Sequence, residues 1–143
     1  MITLEDIHKP VTAELEAFDD FVERQFTAEG ELLSDMLRYA LSTRGKGIRP
    51  MLVMLSAAMN APVKGASMGR RACLAAMLVE MIHVASLIHD DVIDESDMRR
   101  GKPSANARWQ SHKAVILGDY ILAKNMNIGL QSGQFDLVTH VCG

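Results

Sequence analysis

Three observations predict an all-α fold, a bundle of helices. Apolar residues recur at helical spacing in the first segment. A stretch rich in Ala, Leu, Met and Ile runs over residues 65–94 without a proline. No Val/Thr/Tyr alternation bounded by hairpin turns occurs anywhere. Residues 4–26 put Ile7, Val11, Leu15, Phe18 and Val22 on one stripe with acids opposite, which makes an amphipathic helix. Pro10 lies inside it and either kinks that helix or marks its true start. Residues 32–41 form a second, short helix ending near Thr43-Arg44-Gly45. Pro50 suits the first turn of a third helix, which runs to Met59 and is stopped by Asn60-Ala61-Pro62. The fourth helix, residues 65–94, would be about 40 Å long. Residues 95–103 are polar, carry Gly101 and Pro103, and read as a loop. Residues 104–110 form a short helix, and residues 114–130 another with Gly118 and Gly129 as mild interruptions.

The 143 residues are 48% hydrophobic and 23% charged, a globular composition that excludes a disordered or collagen-like chain. The longest uncharged run, residues 50–63, has 14 residues and is too short to span a bilayer. The acidic start is unlike a signal or transit peptide, and the isolated Cys73 and Cys142 suit a reducing compartment, so a cytoplasmic protein is expected. Cys73 and the methionines at 51, 54, 77 and 81 read as core residues. Charge is divided unevenly. The first 30 residues hold eight acids against two bases, and the remainder ten acids against thirteen bases. The later bases cluster at Arg44/Lys46/Arg49, Arg70/Arg71 and Arg99/Arg100/Lys102. Such clusters meet phosphate groups, although Arg70/Arg71 read as solvated surface. Aromatics at 5% are too few for a nucleic-acid stacking surface.

The chemistry concentrates in His89-Asp90-Asp91-Val92-Ile93-Asp94. On a helix Asp90 and Asp94 share a face one turn apart, and Asp91 is rotated by about 100°. Three carboxylates this close repel one another, at the helix end that disfavours anions. A divalent cation is the usual reason for such a pattern. Oxygen ligands suit Mg²⁺, which keeps several waters and shares its other positions with substrate phosphates. Glu80 and His83 extend the polar stripe backwards, and Arg99 and Arg100 follow across the polar loop. An acidic metal platform beside arginine forks is what a diphosphate pocket needs.

These residues resemble the trans-isoprenyl diphosphate synthases, the polyprenyl synthetase family. Gly45-Lys46-Gly47-Ile48-Arg49-Pro50 is similar to the family's Gly-Lys-x-x-Arg-Pro motif. The run from Glu80 through Asp90, Asp91 and Asp94 resembles its first aspartate-rich motif with the helical lead-in. Arg99-Arg100-Gly101-Lys102-Pro103-Ser104 resembles the Arg-Arg-Gly stretch that follows, and residues 114–123 the later Gly-Asp helix. The resemblance implies the isoprenoid-synthase helical bundle, of which residues 1–143 would be the N-terminal portion of a single domain. It also implies roles. Asp90, Asp91 and Asp94 would bind Mg²⁺ that bridges the diphosphate of an allylic substrate, with Arg99 beside it. Lys46, Arg49, His83 and Arg100 would hold the diphosphate of isopentenyl diphosphate. Condensation of the two would lengthen the allylic chain by five carbons in trans geometry.

In similar enzymes the positions four and five before the aspartates form the floor of the product pocket. Here they are Ser86 and Ala85, both small, so a product of twenty carbons or more is expected, and Ala85→Phe is expected to shorten it. The family's second aspartate-rich motif is missing, since Asp119 and Asp136 are the only acids after Asp97. The chain is therefore expected to be a fragment with little activity of its own. Similar enzymes are commonly homodimers. Two other readings remain open at this stage: a noncatalytic subunit of a heteromeric prenyl synthase, and an HD-type metal phosphohydrolase using His83, His89 and Asp90.

Overall fold

The computed structural model describes residues 1–62 and 69–143. Helix α1 (Leu4–His8) begins with a reciprocal cap. The Asp6 N–H donates to Thr3 Oγ1 at 3.2 Å, and the Thr3 N–H donates to Asp6 Oδ2 at 2.9 Å. Pro10 ends it. A 3-10 turn, Lys9–Val11, carries the chain into α2 (Thr12–Gln25), so the expected single helix is two helices joined at the proline. The expected stripe is buried at Val11, Leu15, Phe18 and Val22, whereas Ile7 stays largely exposed.

Helices α3 (Glu31–Ser42) and α4 (Ile48–Met59) match expectation to within two residues at each end. Gly47, at φ 62°, turns the chain into α4. Helix α5 (Arg70–Ile93) is the axis of the bundle; the expected start at residue 65 lies outside the described residues. A two-stranded antiparallel hairpin follows, β1 (Met98–Arg99) and β2 (Lys102–Pro103), where a loop was expected. Then come α6 (Ala105–Trp109), α7 (Ser111–Gln131) and α8 (Phe135–Cys142), the last unforeseen because its eight residues are too few to display a period.

Helix α5 packs most extensively on α7 and next on α4. Its buried residues include Cys73, Leu74, Met77, Leu78, Met81, Val84, Ala85 and Ile88. Among the described residues it is the one helix long and apolar enough to cross a membrane, and in the fold that apolar surface meets its neighbouring helices. Two polar features lock α5 to α7. Asn125 is fully buried and its amide donates to the Leu78 carbonyl at 3.0 Å. Gly118 lies so close to the His89 ring that a Cβ there would fall 2.3 Å from Nε2. Gly118→Ala is accordingly expected to lower the unfolding free energy by about 1–3 kcal/mol through overpacking, read by urea unfolding. Arg71 is not solvated alone, since its guanidinium donates to Asp136 Oδ1 at 3.3 Å and also reaches Gln134, tying the start of α5 to α8.

Candidate active site

One face of α5 is left uncovered towards its C-terminal end. Ile82, His83 and Leu87 are half-buried there, and Ser86, Asp90, Ile93 and Asp94 are exposed. Asp90 and Asp94 stand one turn apart on it, in a continuous helix whose Asp94 N–H donates to the Asp90 carbonyl at 2.8 Å. Asp91 is rotated inward and only 4% exposed. Its carboxylate accepts both arms of Arg99, with Nε to Oδ2 at 3.1 Å. The three carboxylates thus divide into two that face outward and one that fastens the hairpin to the helix.

That hairpin is a two-residue turn in which Arg100 and Gly101 both have positive φ, 50° and 76°. Tight hairpins favour this geometry because it matches the strand twist. Tyr39 on α3 donates its hydroxyl to the Pro103 carbonyl at 2.7 Å, and Ser104 donates to the Ser96 carbonyl at 2.7 Å. The Arg108 guanidinium lies over the Tyr39 and Trp109 rings, 4.5 and 4.6 Å from their centres. These ties place Arg100 against the turn before α4. Gly45 there has φ 90°, and a Cβ on it would fall 2.4 Å from the Arg100 Cζ. Lys46 and Arg49, exposed on the same turn and the start of α4, are thereby brought beside the hairpin.

His83 reports this convergence. Burial, and then the charges of Arg49, Arg100 and Arg99, hold its imidazole below the ordinary histidine value, with Asp90 pulling the other way. Four residues from three segments therefore act on one ring. The chain-length positions diverge. Ala85 is fully buried in the core, while Ser86 is exposed and donates to the Ile82 carbonyl at 2.9 Å.

Two residues matter more than their sequence suggested. Glu80 reads as part of the polar stripe but is 2% exposed, and its Oε2 has no hydrogen-bond partner among the described residues. Burial pushes its carboxyl up from the ordinary glutamate value, opposed by the charges of Arg44, Arg49 and Arg100. Arg44 is fixed between elements, donating to Asp19 Oδ1 at 2.8 Å and to the Leu41 carbonyl at 3.1 Å, with its guanidinium over the Phe18 ring. A raised carboxyl favours the folded state while protonated, and that stability is lost as pH rises through the raised value. Glu80→Gln is therefore expected to gain thermal stability over the parent chain as pH rises from the carboxylate range to neutrality, in paired melts. His89 turns away from His83, with Nε2 at 3.3 Å from both the Val115 carbonyl and Asp119 Oδ1 on α7. This gives the Gly118-Asp119 pair a packing role.

Among the described residues no three His, Cys, Asp or Glu side chains are grouped closely enough to hold a metal by themselves. Asp90 and Asp94 offer two exposed carboxylates at one-turn spacing. That donor set fits a hard cation completed by waters and ligand oxygens, as Mg²⁺ prefers.

Comparison with known proteins finds prenyl diphosphate synthases. An all-trans-nonaprenyl-diphosphate synthase (geranyl-diphosphate specific) of Rhodobacter capsulatus is 34% identical over 124 residues, which are 87% of this chain and 37% of that protein. Heptaprenyl diphosphate synthase component 2 of Geobacillus stearothermophilus is 35% identical over 123 residues, 86% of this chain and 37% of its own length. The crystal structure of a decaprenyl diphosphate synthase from Rhodobacter capsulatus superposes with a TM-score of 0.83 at 29% identity, covering 96% of this chain and 41% of that one. The fold is thus of the helical isoprenoid-synthase type, and the chain spans about two fifths of the relatives it matches. The sequence profile of the polyprenyl synthetases matches residues 30–142, and the chain belongs to that family.

Proposed function

We propose that this chain carries the first part of the substrate site of a trans-prenyltransferase, which joins isopentenyl diphosphate to an allylic diphosphate. The observation that carries this reading is the seating of the Arg100 guanidinium against the Gly45 turn before α4, from a hairpin that Arg99 fastens to Asp91, next to the outward carboxylates Asp90 and Asp94. Lys46, Arg49, His83 and Arg100 hold the diphosphate of isopentenyl diphosphate, and Asp90 and Asp94 hold the Mg²⁺ at the allylic diphosphate. Asp91 serves that site through Arg99 and the hairpin. Bound Mg²⁺ supplies charge neutralisation for the departing pyrophosphate. The arginines add to that neutralisation as the allylic C–O bond breaks with its electron pair leaving on oxygen. The isopentenyl double bond, held close, forms the new C–C bond, and a proton is then lost to pyrophosphate. Once the open face of α5 is covered, its apolar residues Ile82, Leu87 and Ile93 would help keep water from trapping the cation.

Small residues at 85 and 86, together with relatives named for hepta-, nona- and decaprenyl products, support a product of twenty carbons or more. Because Ala85 is fully buried, Ala85→Phe acts first on the core, and the open position at which bulk would shorten a product is Ser86. A cytoplasmic homodimer is part of the same proposal. The chain spans about two fifths of its relatives' length, and by itself it is expected to turn over little substrate. Incubation with both diphosphates and Mg²⁺ tests this, and robust turnover by the isolated chain would overturn it.

A second test reads binding directly. Isopentenyl diphosphate is expected to raise the His83 titration midpoint, because its negative charge offsets the arginines that depress it. The imidazole proton signals, followed by NMR against pH with and without ligand, check this. A midpoint that stays put under saturating ligand counts against the assignment of His83, Arg49 and Arg100 to this substrate.

A further inference from the structure

Tyr39 makes contacts that a residue near the end of α3 does not need for its helix alone. Its backbone carbonyl closes that end, accepting the Thr43 N–H at 3.1 Å, the Thr43 hydroxyl at 3.0 Å and the Ser42 hydroxyl at 2.8 Å. These bonds set the path of the chain into the Gly45 turn. Its phenol hydroxyl donates to the Pro103 carbonyl at 2.7 Å, 64 residues away in β2. Both partners of the Gly45–Arg100 contact are thus anchored to one residue. The ring itself is held from two sides. Trp109 meets it edge-on with centres 5.1 Å apart, and the Arg108 guanidinium lies over both rings. Close packing does not hold the hairpin, because a cavity of about 40 Å³ lies beneath it, bordered by Tyr39, Leu87, Asp91, Arg99 and Pro103. Among the described residues two side-chain hydrogen-bond ties secure its strands to the helices, Arg99 of β1 to Asp91 and Pro103 of β2 to Tyr39. The bonds from Ser104 and Asn106 to the Ser96 carbonyl run within the loop and α6.

We propose that Tyr39 is a positioning residue for the isopentenyl diphosphate site, its hydroxyl on Pro103 and its carbonyl at the end of α3 setting the Arg100 hairpin against the Gly45-Lys46 turn; this rests on the substrate assignment above. A hairpin tied at β1 alone can swing about that tie over the cavity. The second tie, at β2, removes that freedom and fixes where the Arg100 guanidinium sits. Arg100 and the Gly45-Lys46 turn are then aligned before ligand arrives, so binding does not have to order them. Tyr39 touches no substrate in this scheme and acts through Arg100.

The test uses the ¹⁵N-labelled 143-residue chain. Tyr39→Phe deletes the hydroxyl and keeps the ring against Trp109 and beneath Arg108. It is expected to shift the Arg100 Nε–H and Gly45 amide signals in the ligand-free chain. It is also expected to weaken isopentenyl diphosphate binding about fivefold in calorimetry. A double-variant cycle separates positioning from general loosening. In a chain already carrying Arg100→Ala, Tyr39→Phe is expected to cost no further affinity, whereas a merely structural change would add its full fivefold loss. If Tyr39→Phe does not fold, the same cycle is run with Arg108→Ala. That side chain is exposed, and its removal frees the Tyr39 ring, with an expected loss of about twofold in the parent and none beside Arg100→Ala.

Gly45 and Arg100 signals that stay in place overturn the positioning role. So does unchanged binding, or a loss of equal size in the presence and absence of the Arg100 side chain. A parent chain that fails to bind isopentenyl diphosphate overturns the substrate assignment itself, an outcome separable from the Gly45 and Arg100 signals.

Discussion

Replacing Asp90 and Asp94 together by alanine is expected to abolish Mg²⁺-dependent diphosphate binding while leaving the fold intact. Both side chains are exposed on the uncovered face of α5, so their removal opens no cavity. It also relieves a like-charge pair at one-turn spacing, worth about 0.2–0.5 kcal/mol, at the helix end that disfavours anions. Without them no carboxylate pair remains on that face, because Asp91 is turned inward and occupied by Arg99. The affinity for inorganic pyrophosphate in the presence of Mg²⁺ is expected to fall on the order of 100-fold, or about 2.7 kcal/mol. Calorimetric titration with and without Mg²⁺ measures it. An affinity that keeps its Mg²⁺ dependence in the double variant would remove these two residues from the metal site.

Arg99→Ala has the opposite signature. It leaves the Asp91 carboxylate, 4% exposed, without its partner, and stranding a buried acceptor in this way costs about 1–3 kcal/mol. Asp91→Asn is milder, because the half-exposed Arg99 can turn to solvent once released. Urea unfolding of the two variants is expected to show that order. In both, the hairpin loses its tie to α5, so Arg100 leaves its seat on Gly45 and isopentenyl diphosphate binding weakens as well. Equal and small losses of stability in the two variants would contradict the inward role of Asp91.

Most of the helices are legible in the sequence because their boundaries are written locally. Pro10 divides the first, Pro50 lies in the first turn of α4 and Pro62 follows its end. The membership of the site is legible too, since the Gly-Lys turn, the aspartates and the paired arginines are contiguous motifs. Other aspects are not. Nothing in Asp90-Asp91-Val92-Ile93-Asp94 says which carboxylate turns inward until the hairpin supplies Arg99. The burial of Glu80 depends on the helices that pack around α5, and Arg44 gains its role only through Asp19, 25 residues earlier. Ala85 and Ser86 are neighbours in sequence but occupy opposite environments, since successive helical residues point about 100° apart.

The approach of Arg100 to Gly45 has a consequence for how such a protein can change. A side chain at 45 would collide with the guanidinium and also strain a backbone at φ 90°, while a shorter side chain at 100 would remove only the collision. The two positions, 55 residues apart, are therefore not independent variables for selection. Gly45→Ala in a chain already carrying Arg100→Ala is expected to do less harm than the sum of the single changes. The glycine turn and the arginine hairpin are thus coupled through this one contact.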